Sequence, residues 1–242
     1  MTLEGTNTYI VGSDPAYLID PGPAAPSHVE AVLALGAQRG GFAGILLTHS
    51  HADHTEAVAV LEAVGAPLLV GAVSERDEAH GTMAPVSAPA TPEEIGPFTV
   101  VPTPGHATDH LCFVLGEVCF CGDLVLGHGS SIVPPAALGG SLREYLRSLE
   151  SVRNLGSALL CPGHGPWIND PRAKLAEYAE HRAERERRLV EALAAGERSR
   201  RRLLDAAWGD VPAPLRPAAA LAMEAHLEKL EGEGGLPPGL DG

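Results

Sequence analysis

The sequence predicts an α/β body over residues 1–170 followed by a smaller, wholly helical unit over 171–242. Three observations carry this. Short apolar runs alternate with amphipathic stretches up to about Cys161. After Asp170-Pro171 only helical periodicity persists. The 242 residues, 45% of them hydrophobic, suffice for one large core and an appendage.

Taken in order, Thr8–Val11 and Ala16–Ile19 flank a Gly12-Ser13-Asp14-Pro15 turn and read as a hairpin. Ser27 is placed to cap a helix running to Gln38, with Val29, Val32, Leu33 and Leu35 on its apolar side. Gly44–Leu47 is a wholly apolar strand, Glu56–Val64 a short helix, and Ala66–Val70 and Phe98–Val101 further strands. Glu75–Pro97, rich in proline and acids, reads as a surface excursion. His110–Leu115 and Val118–Cys121 are joined by Gly116-Glu117 in a tight hairpin. Leu124–Gly140 is irregular, and Ser141-Leu142-Arg143-Glu144 is a capping box opening a helix to about Leu155. Ala158–Cys161 is another buried strand. Asp170 as N-cap with Pro171 behind it starts a long helix that Gly196 stops, and Ser199–Trp208 and Pro214–Leu230 follow as helices.

The net charge of −14 argues against a generic binder of nucleic acid or anionic membrane. Basic residues are nevertheless gathered: ten of the seventeen lie in 172–202. No apolar run is long enough to span a bilayer, and Met1-Thr2-Leu3-Glu4-Gly5 has neither charged leader nor apolar core, so no membrane role and a cytoplasmic location are expected. Cys112, Cys119, Cys121 and Cys161 lack CxxC spacing and read as free, buried thiols.

Chemistry concentrates in Thr48-His49-Ser50-His51-Ala52-Asp53-His54, directly after an apolar strand. Imidazoles and carboxylates resist burial unless paired, so three histidines and an aspartate in six residues are hard to explain as packing. A turn leaving the strand can aim His49 and His51 at one point and Asp53 and His54 at a neighbouring one, which suggests two ions. The donors suit Zn²⁺, with Mn²⁺ or Fe²⁺ as alternatives. His106, Asp123 and His164 each follow a later apolar strand beside glycine and complete the set.

With Leu18-Ile19-Asp20-Pro21-Gly22 ahead of HxHxDH and a lone His, Asp and His behind it, the sequence resembles the metallo-β-lactamase superfamily. The resemblance implies a four-layer αβ/βα sandwich. It also implies that His49, His51 and His106 hold one metal, that Asp53, His54 and His164 hold the second, and that Asp123 bridges them. Asp20 would then orient the cluster. Gly5-Thr6-Asn7-Thr8-Tyr9, Pro162-Gly163-His164-Gly165-Pro166 and Tyr178–Glu186 look like the β-lactamase-like protein 2 group, which adds a small winged-helix-like C-terminal unit. That group implies a dinuclear, zinc-dependent, endoribonuclease-like hydrolase. It would cleave single-stranded RNA or a related phosphodiester by attack of a metal-bound hydroxide, with Asp53 and Asp123 as catalytic residues. The alternative is a thioester hydrolase of glyoxalase II type acting on a small molecule, although Leu124–Gly140 carries no Lys or Arg for glutathione. A nucleic-acid-binding module with a structural metal is a third reading, opposed by the complete ligand set.

Other residues have plainer expectations. Asp109 and His110 are expected to make structural hydrogen bonds, and His128 is a weaker candidate for substrate contact. His28, His80 and His226 are expected at the surface, while His181 and Arg182 fit either packing or a substrate role. Opposite charges four apart (Arg182 and Glu186, Glu184 and Arg188, Arg187 and Glu191) read as a salt-bridged helix face. Arg198, Arg200, Arg201 and Arg202 are left as candidates for an anionic partner.

Overall fold

The computed structural model describes residues 5–70 and 93–240. Among them the elements are β1 Tyr9–Val11, β2 Ala16–Ile19, α1 Pro26–Gln38, β3 Phe42–Leu46, α2 Ala52–Thr55, α3 Val58–Glu62, β4 Leu68–Val70, β5 Glu93–Ile95 and β6 Phe98–Pro102. After them come β7 Leu111–Leu115, β8 Val118–Gly122, α4 Leu142–Leu155, β9 Leu159–Pro162, α5 Pro171–Ala194, α6 Arg200–Trp208 and α7 Arg216–Gly232.

The described strands form two sheets, ordered β1-β2-β3-β4 and β5-β6-β7-β8-β9. Strand alternation explains how they stack. Ile19 and Leu46 of the first sheet face Phe98, Val100, Leu111, Phe113, Phe120 and Cys161 of the second, forming the core between sheets. The opposite face of the first sheet (Leu18, Ile45, Leu47) packs on Val29 and Val32 of α1 and on Leu61 of α3. The opposite face of the second (Val101, Cys112, Cys119, Cys121, Leu160) packs on Leu142, Tyr145 and Leu149 of α4 and Leu175 and Tyr178 of α5. The layers are therefore helix, sheet, sheet, helix, the four-layer αβ/βα sandwich expected. Farther along, Leu189 and Leu193 of α5 join Leu203, Trp208, Met223 and Leu227 in a helical core.

Several local expectations are corrected. Ser27 does not cap α1: Pro26 already occupies the first turn, and Ala25 is the N-cap with no side-chain bond. Leu35 faces solvent at 48% exposure. The helix expected over Glu56–Val64 is two short helices, the first of which starts at Ala52. Glu93–Ile95 is a strand paired antiparallel to β6, while residues 71–92 of the expected excursion, and His80 with them, lie outside the described residues. His226 is not at the surface: it is buried against Trp208 and Glu186. Ser141 does cap α4, its Oγ accepting from Glu144 N at 3.3 Å, whereas the Glu144 carboxylate pairs with Arg147. All four cysteines are buried and free, and none of the described helices is long and apolar enough to cross a membrane.

Charge pairs within α5 follow the expected spacing at Glu184–Arg188 and Arg187–Glu191 but not at Arg182–Glu186. Arg182 points into the body and donates to the Ser131 carbonyl, while Glu186 pairs with Lys229 of α7. Three of the four arginines held over for an anionic partner are engaged within the chain. Arg198 donates to the Leu193 carbonyl at the end of α5, Arg200 pairs with Glu224 at 3.0 Å, and Arg202 lies 3.6 Å from Glu197.

Candidate metal centre

Every predicted site residue reaches one end of the sandwich, because each sits where a strand ends. His49 and His51 follow β3, Asp53 and His54 occupy the single turn of α2, His106 follows β6, Asp123 follows β8 and His164 follows β9. In the second sheet β6 and β8 both run antiparallel to β7, and β9 runs parallel to β8, so the ends leading to His106, Asp123 and His164 lie on one side.

The histidine tautomers follow from what each ring nitrogen faces. His106 Nδ1 donates to the Ile132 carbonyl at 2.7 Å, and His164 Nδ1 donates to the Gly5 carbonyl at 2.9 Å. His54 Nδ1 donates to Asp20 Oδ2 at 2.9 Å. Thr48 Oγ1 gives its proton to Asp20 Oδ2 at 2.7 Å and therefore accepts from His49 Nδ1 at 3.0 Å. Four Nε2 atoms are thus aimed inward by fixed acceptors, the arrangement that orients metal ligands. Asp20, buried and at φ +48, also accepts from Thr48 N at 2.8 Å, so one carboxylate organises both His49 and His54. This is the orienting role expected of it.

Among the described residues, His49, His51 and His106, then His49, His54 and Asp123, and then Asp53, His54 and His164 each bring three donor atoms within 4.8 Å of one another and could hold an ion. His51 Nδ1 lies 2.9 Å from His49 Nε2 and 3.1 Å from His106 Nε2. Nitrogens around a tetrahedral zinc, each about 2.0–2.1 Å from it, would be roughly 3.3 Å apart, close to that spacing. In the last of these sets His164 Nε2 lies 3.3 Å from Asp53 Oδ2, and His54 Nε2 lies 3.8 Å from it. Asp123 stands between, with Oδ1 3.7 Å from His54 Nε2 and Oδ2 3.4 Å from His164 Nε2 and 3.8 Å from His106 Nε2.

The residues fit a metal on an observation independent of the motif. His54 Nε2 and Asp123 Oδ1 are buried with no hydrogen-bond partner among the described residues, a costly state for polar atoms unless something else satisfies them. Gly163 keeps that space open: a Cβ there would lie 2.4 Å from Asp123 Oδ1 and 2.7 Å from His54 Cε1.

Burial holds His49 and His106 below their ordinary pKa, reinforced at His49 by neighbouring histidines and opposed at His106 by Asp123. Hydrogen bonds to Asp123 and Asp53 push His164 up to about 10. The bond from His164 holds the Asp53 carboxyl well below the usual range.

Asp109 accepts from Ser50 N at 3.1 Å, and His110 lies between Thr103 Oγ1 (2.8 Å) and Asp123 N (3.1 Å), so both serve the structure as expected. His128 is exposed beside Gly165, and nothing places it among the ligands. Thr48 heads the motif with no role that its sequence context assigns, yet its hydroxyl relays Asp20 to His49. In Gly5–Tyr9, a family mark by sequence, Thr6 Oγ1 reaches Asp53 Oδ2 at 3.2 Å, and Asn7 Nδ2 donates to the carbonyls of Pro162 and Gly165 around His164.

Comparison with known proteins identifies the family and the fold. The sequence profile of the metallo-beta-lactamase superfamily matches residues 1–164. A beta-lactamase-like protein 2 homolog from Drosophila melanogaster is 34% identical, across 98% of this chain and 85% of its own length. An atrochrysone carboxyl ACP thioesterase from Aspergillus chevalieri is 37% identical across 79% of this chain, which spans 61% of that protein. The crystal structure of a metallo-beta-lactamase family protein from Thermus thermophilus matches with a TM-score of 0.71 at 25% identity, covering 95% of this chain and 89% of its own.

Proposed function

The chain belongs to the metallo-beta-lactamase superfamily and is a metal-dependent hydrolase; on that premise we propose that it binds two divalent cations, zinc first among them, and hydrolyses small acyl thioesters. His49, His51 and His106 hold one ion, Asp53, His54 and His164 hold the other, and Asp123 joins the two. The unpartnered His54 Nε2 and Asp123 Oδ1 support this most directly. When bound, two such cations supply Lewis acidity toward a carbonyl oxygen and bring the pKa of water toward about 7.

The chain's own residues supply the rest. Asp20, Thr48, Ile132 and Gly5 fix the rings before substrate arrives, so reorganisation adds little to the barrier. Asp53, with a side chain 28% exposed, and the exposed His51 face the open side of the site. The two carboxylates accept hydrogen bonds from the attacking water and so aim it. Residues 1–170 carry this chemistry as a hydrolase domain, with 171–242 as its helical companion.

The substrate choice rests on exposed apolar residues that lie close to the proposed ligands in sequence or by a backbone hydrogen bond. Trp167, three residues past His164, is 61% exposed, and Ile132, whose carbonyl holds His106, is 36% exposed. Leu124–Gly140 has no cation, and most of the tail's arginine cluster is bonded within a chain of net charge −14. Exposed apolar residues linked in this way to the proposed ligands, with no Lys or Arg in Leu124–Gly140, favour an acyl group over a polyphosphate strand. Single-stranded RNA remains a second reading, favoured by the likeness to the beta-lactamase-like protein 2 homolog, which runs through the helical tail.

The test is metal analysis together with a turnover panel of short acyl-CoA thioesters, S-lactoylglutathione, single-stranded RNA and a phosphodiester dye. Two ions per chain and preferential thioester hydrolysis, with KM raised by Trp167→Ala, are expected. One ion at saturating zinc defeats the dinuclear assignment, and RNA cleavage without thioester turnover defeats the substrate assignment.

A further inference from the structure

Between Asp123 and Pro135 the chain has no helix or strand, yet Asp123–Leu126, Ser131 and Val133 are buried there. Buried backbone groups outside a ladder must find partners elsewhere, and helices α4 and α5 provide several. Tyr145 of α4 donates to the Leu124 carbonyl at 2.6 Å. Tyr178 of α5 accepts from Leu126 N at 2.9 Å and donates to the Gly129 carbonyl at 3.1 Å. One turn later, Arg182 of α5 donates through Nη2 to the Ser131 carbonyl.

Arg182 is the unusual member of this group. It is 3% exposed, and among the described residues no carboxylate lies within ion-pair distance of it. Its guanidinium instead lies over the Tyr145 ring, 5.3 Å from the centroid. Burying an arginine on a neutral carbonyl is expensive unless the bond does something a neutral donor could not.

What it holds is the backbone that orients two proposed ligands. Ser131 Oγ donates to the Asp123 carbonyl at 2.5 Å and sits 3.3 Å from His106 Nδ1. The next residue, Ile132, offers the carbonyl that accepts from His106 Nδ1. One guanidinium on the helix that opens the C-terminal unit therefore stands a single residue from contacts to both His106 and Asp123.

We propose that Arg182 is a positioning residue for the metal centre, acting through Ser131 and Ile132 to set the orientation of His106 and Asp123. The inference rests on the two-ion reading above. By it, the helical unit takes part in metal affinity without contributing a ligand.

The experiment compares the parent with Arg182→Ala, Arg182→Lys and Ser131→Ala by zinc affinity in chelator competition and by the visible spectrum of the cobalt-substituted proteins. Folding is checked by circular dichroism. Loss of a group that orients ligands weakens metal binding by about 10–100-fold. Arg182→Ala is expected to show that loss with an altered cobalt spectrum, and added guanidinium ion is expected to recover both better than ammonium does. Lysine should restore less than guanidinium, because it supplies the charge without the planar fork. Ser131→Ala leaves α5 untouched and should weaken zinc in the same direction, so it decides the matter if Arg182→Ala does not fold. Folded variants with the parent's zinc affinity and cobalt spectrum overturn the inference alone. A parent that binds no metal overturns the metal-centre reading, and the inference with it.

Discussion

Asp20 shows how much of this site depends on residues that touch no substrate. Its two oxygens accept from Thr48 N, Thr48 Oγ1 and His54 Nδ1. Asparagine tolerates the left-handed backbone at this position but can accept through one oxygen only and turns an NH₂ toward groups that donate. Asp20→Asn is therefore expected to weaken zinc binding by about 10–100-fold, read by chelator competition; parent-like affinity would show that the tautomers are set elsewhere. Gly163→Ala tests the space itself. The added methyl would crowd Asp123 and His54, so metal content should drop by at least one ion per chain while the circular dichroism spectrum stays unchanged. At this scale the candidate ligands were legible because four of them crowd one short turn after an apolar strand. Apart from Asp20, the groups that orient them were not: Gly5 and Ile132 act through backbone carbonyls, which any residue carries, and Ser131 through a hydroxyl in an irregular stretch.

Among the elements, legibility followed length and local chemistry. The long helix α5, with Asp170 and Pro171 at its start, runs nearly as its pattern predicts. β5 is hidden because Glu93-Glu94 is an exposed edge with no apolar signature. The α2 turn is set by the demands of Asp53 and His54 rather than by hydrophobic periodicity, so the expected Glu56–Val64 helix begins too late. The start of α4 belongs to both fold and site. Ser141 caps the helix through Oγ while its N–H donates to the Gly105 carbonyl beside His106, and a Cβ on Gly105 would strike the Tyr145 backbone at 2.4 Å. Ser141→Ala removes only the cap and is expected to cost about 1 kcal/mol, or about 2–4 °C in Tm for a chain of this size. Calorimetry showing no loss would place the helix start under tertiary control.

Across the whole molecule, acid should loosen the packing of the last helices. Burial, aided by Arg182 and Arg185, brings His181 down to about 4, and burial lowers His226 as well. Each imidazole binds its proton at about 6.5 in the unfolded chain and at lower pH in the folded one. Their contribution is therefore complete above the unfolded value and is lost as pH falls through the interval down to about 4 for His181. Tm is expected to decline from about pH 7 to about pH 5, and His181→Gln should shallow that decline relative to the parent. Parallel Tm profiles for the two proteins would remove His181 from the account. The four-layer fold was legible once the motif implied it. The reassignment of the tail arginines was not, because Glu224 lies 24 positions from Arg200 and nothing local announces the pair.

Helix α5 is continuous from Pro171 to Ala194, docked by Tyr178 and Arg182 at one end and by Leu189 and Leu193 at the other. This sets a rule for its inheritance. One inserted residue between those anchors would turn everything beyond it by about 100° and advance it by about 1.5 Å. Either the arginine would leave its carbonyl, or the two leucines would swing away from Trp208 and Met223. Length changes here can survive only near whole multiples of the helical repeat, so the segment is phase-locked: free to drift in composition on its outer face, but not in count.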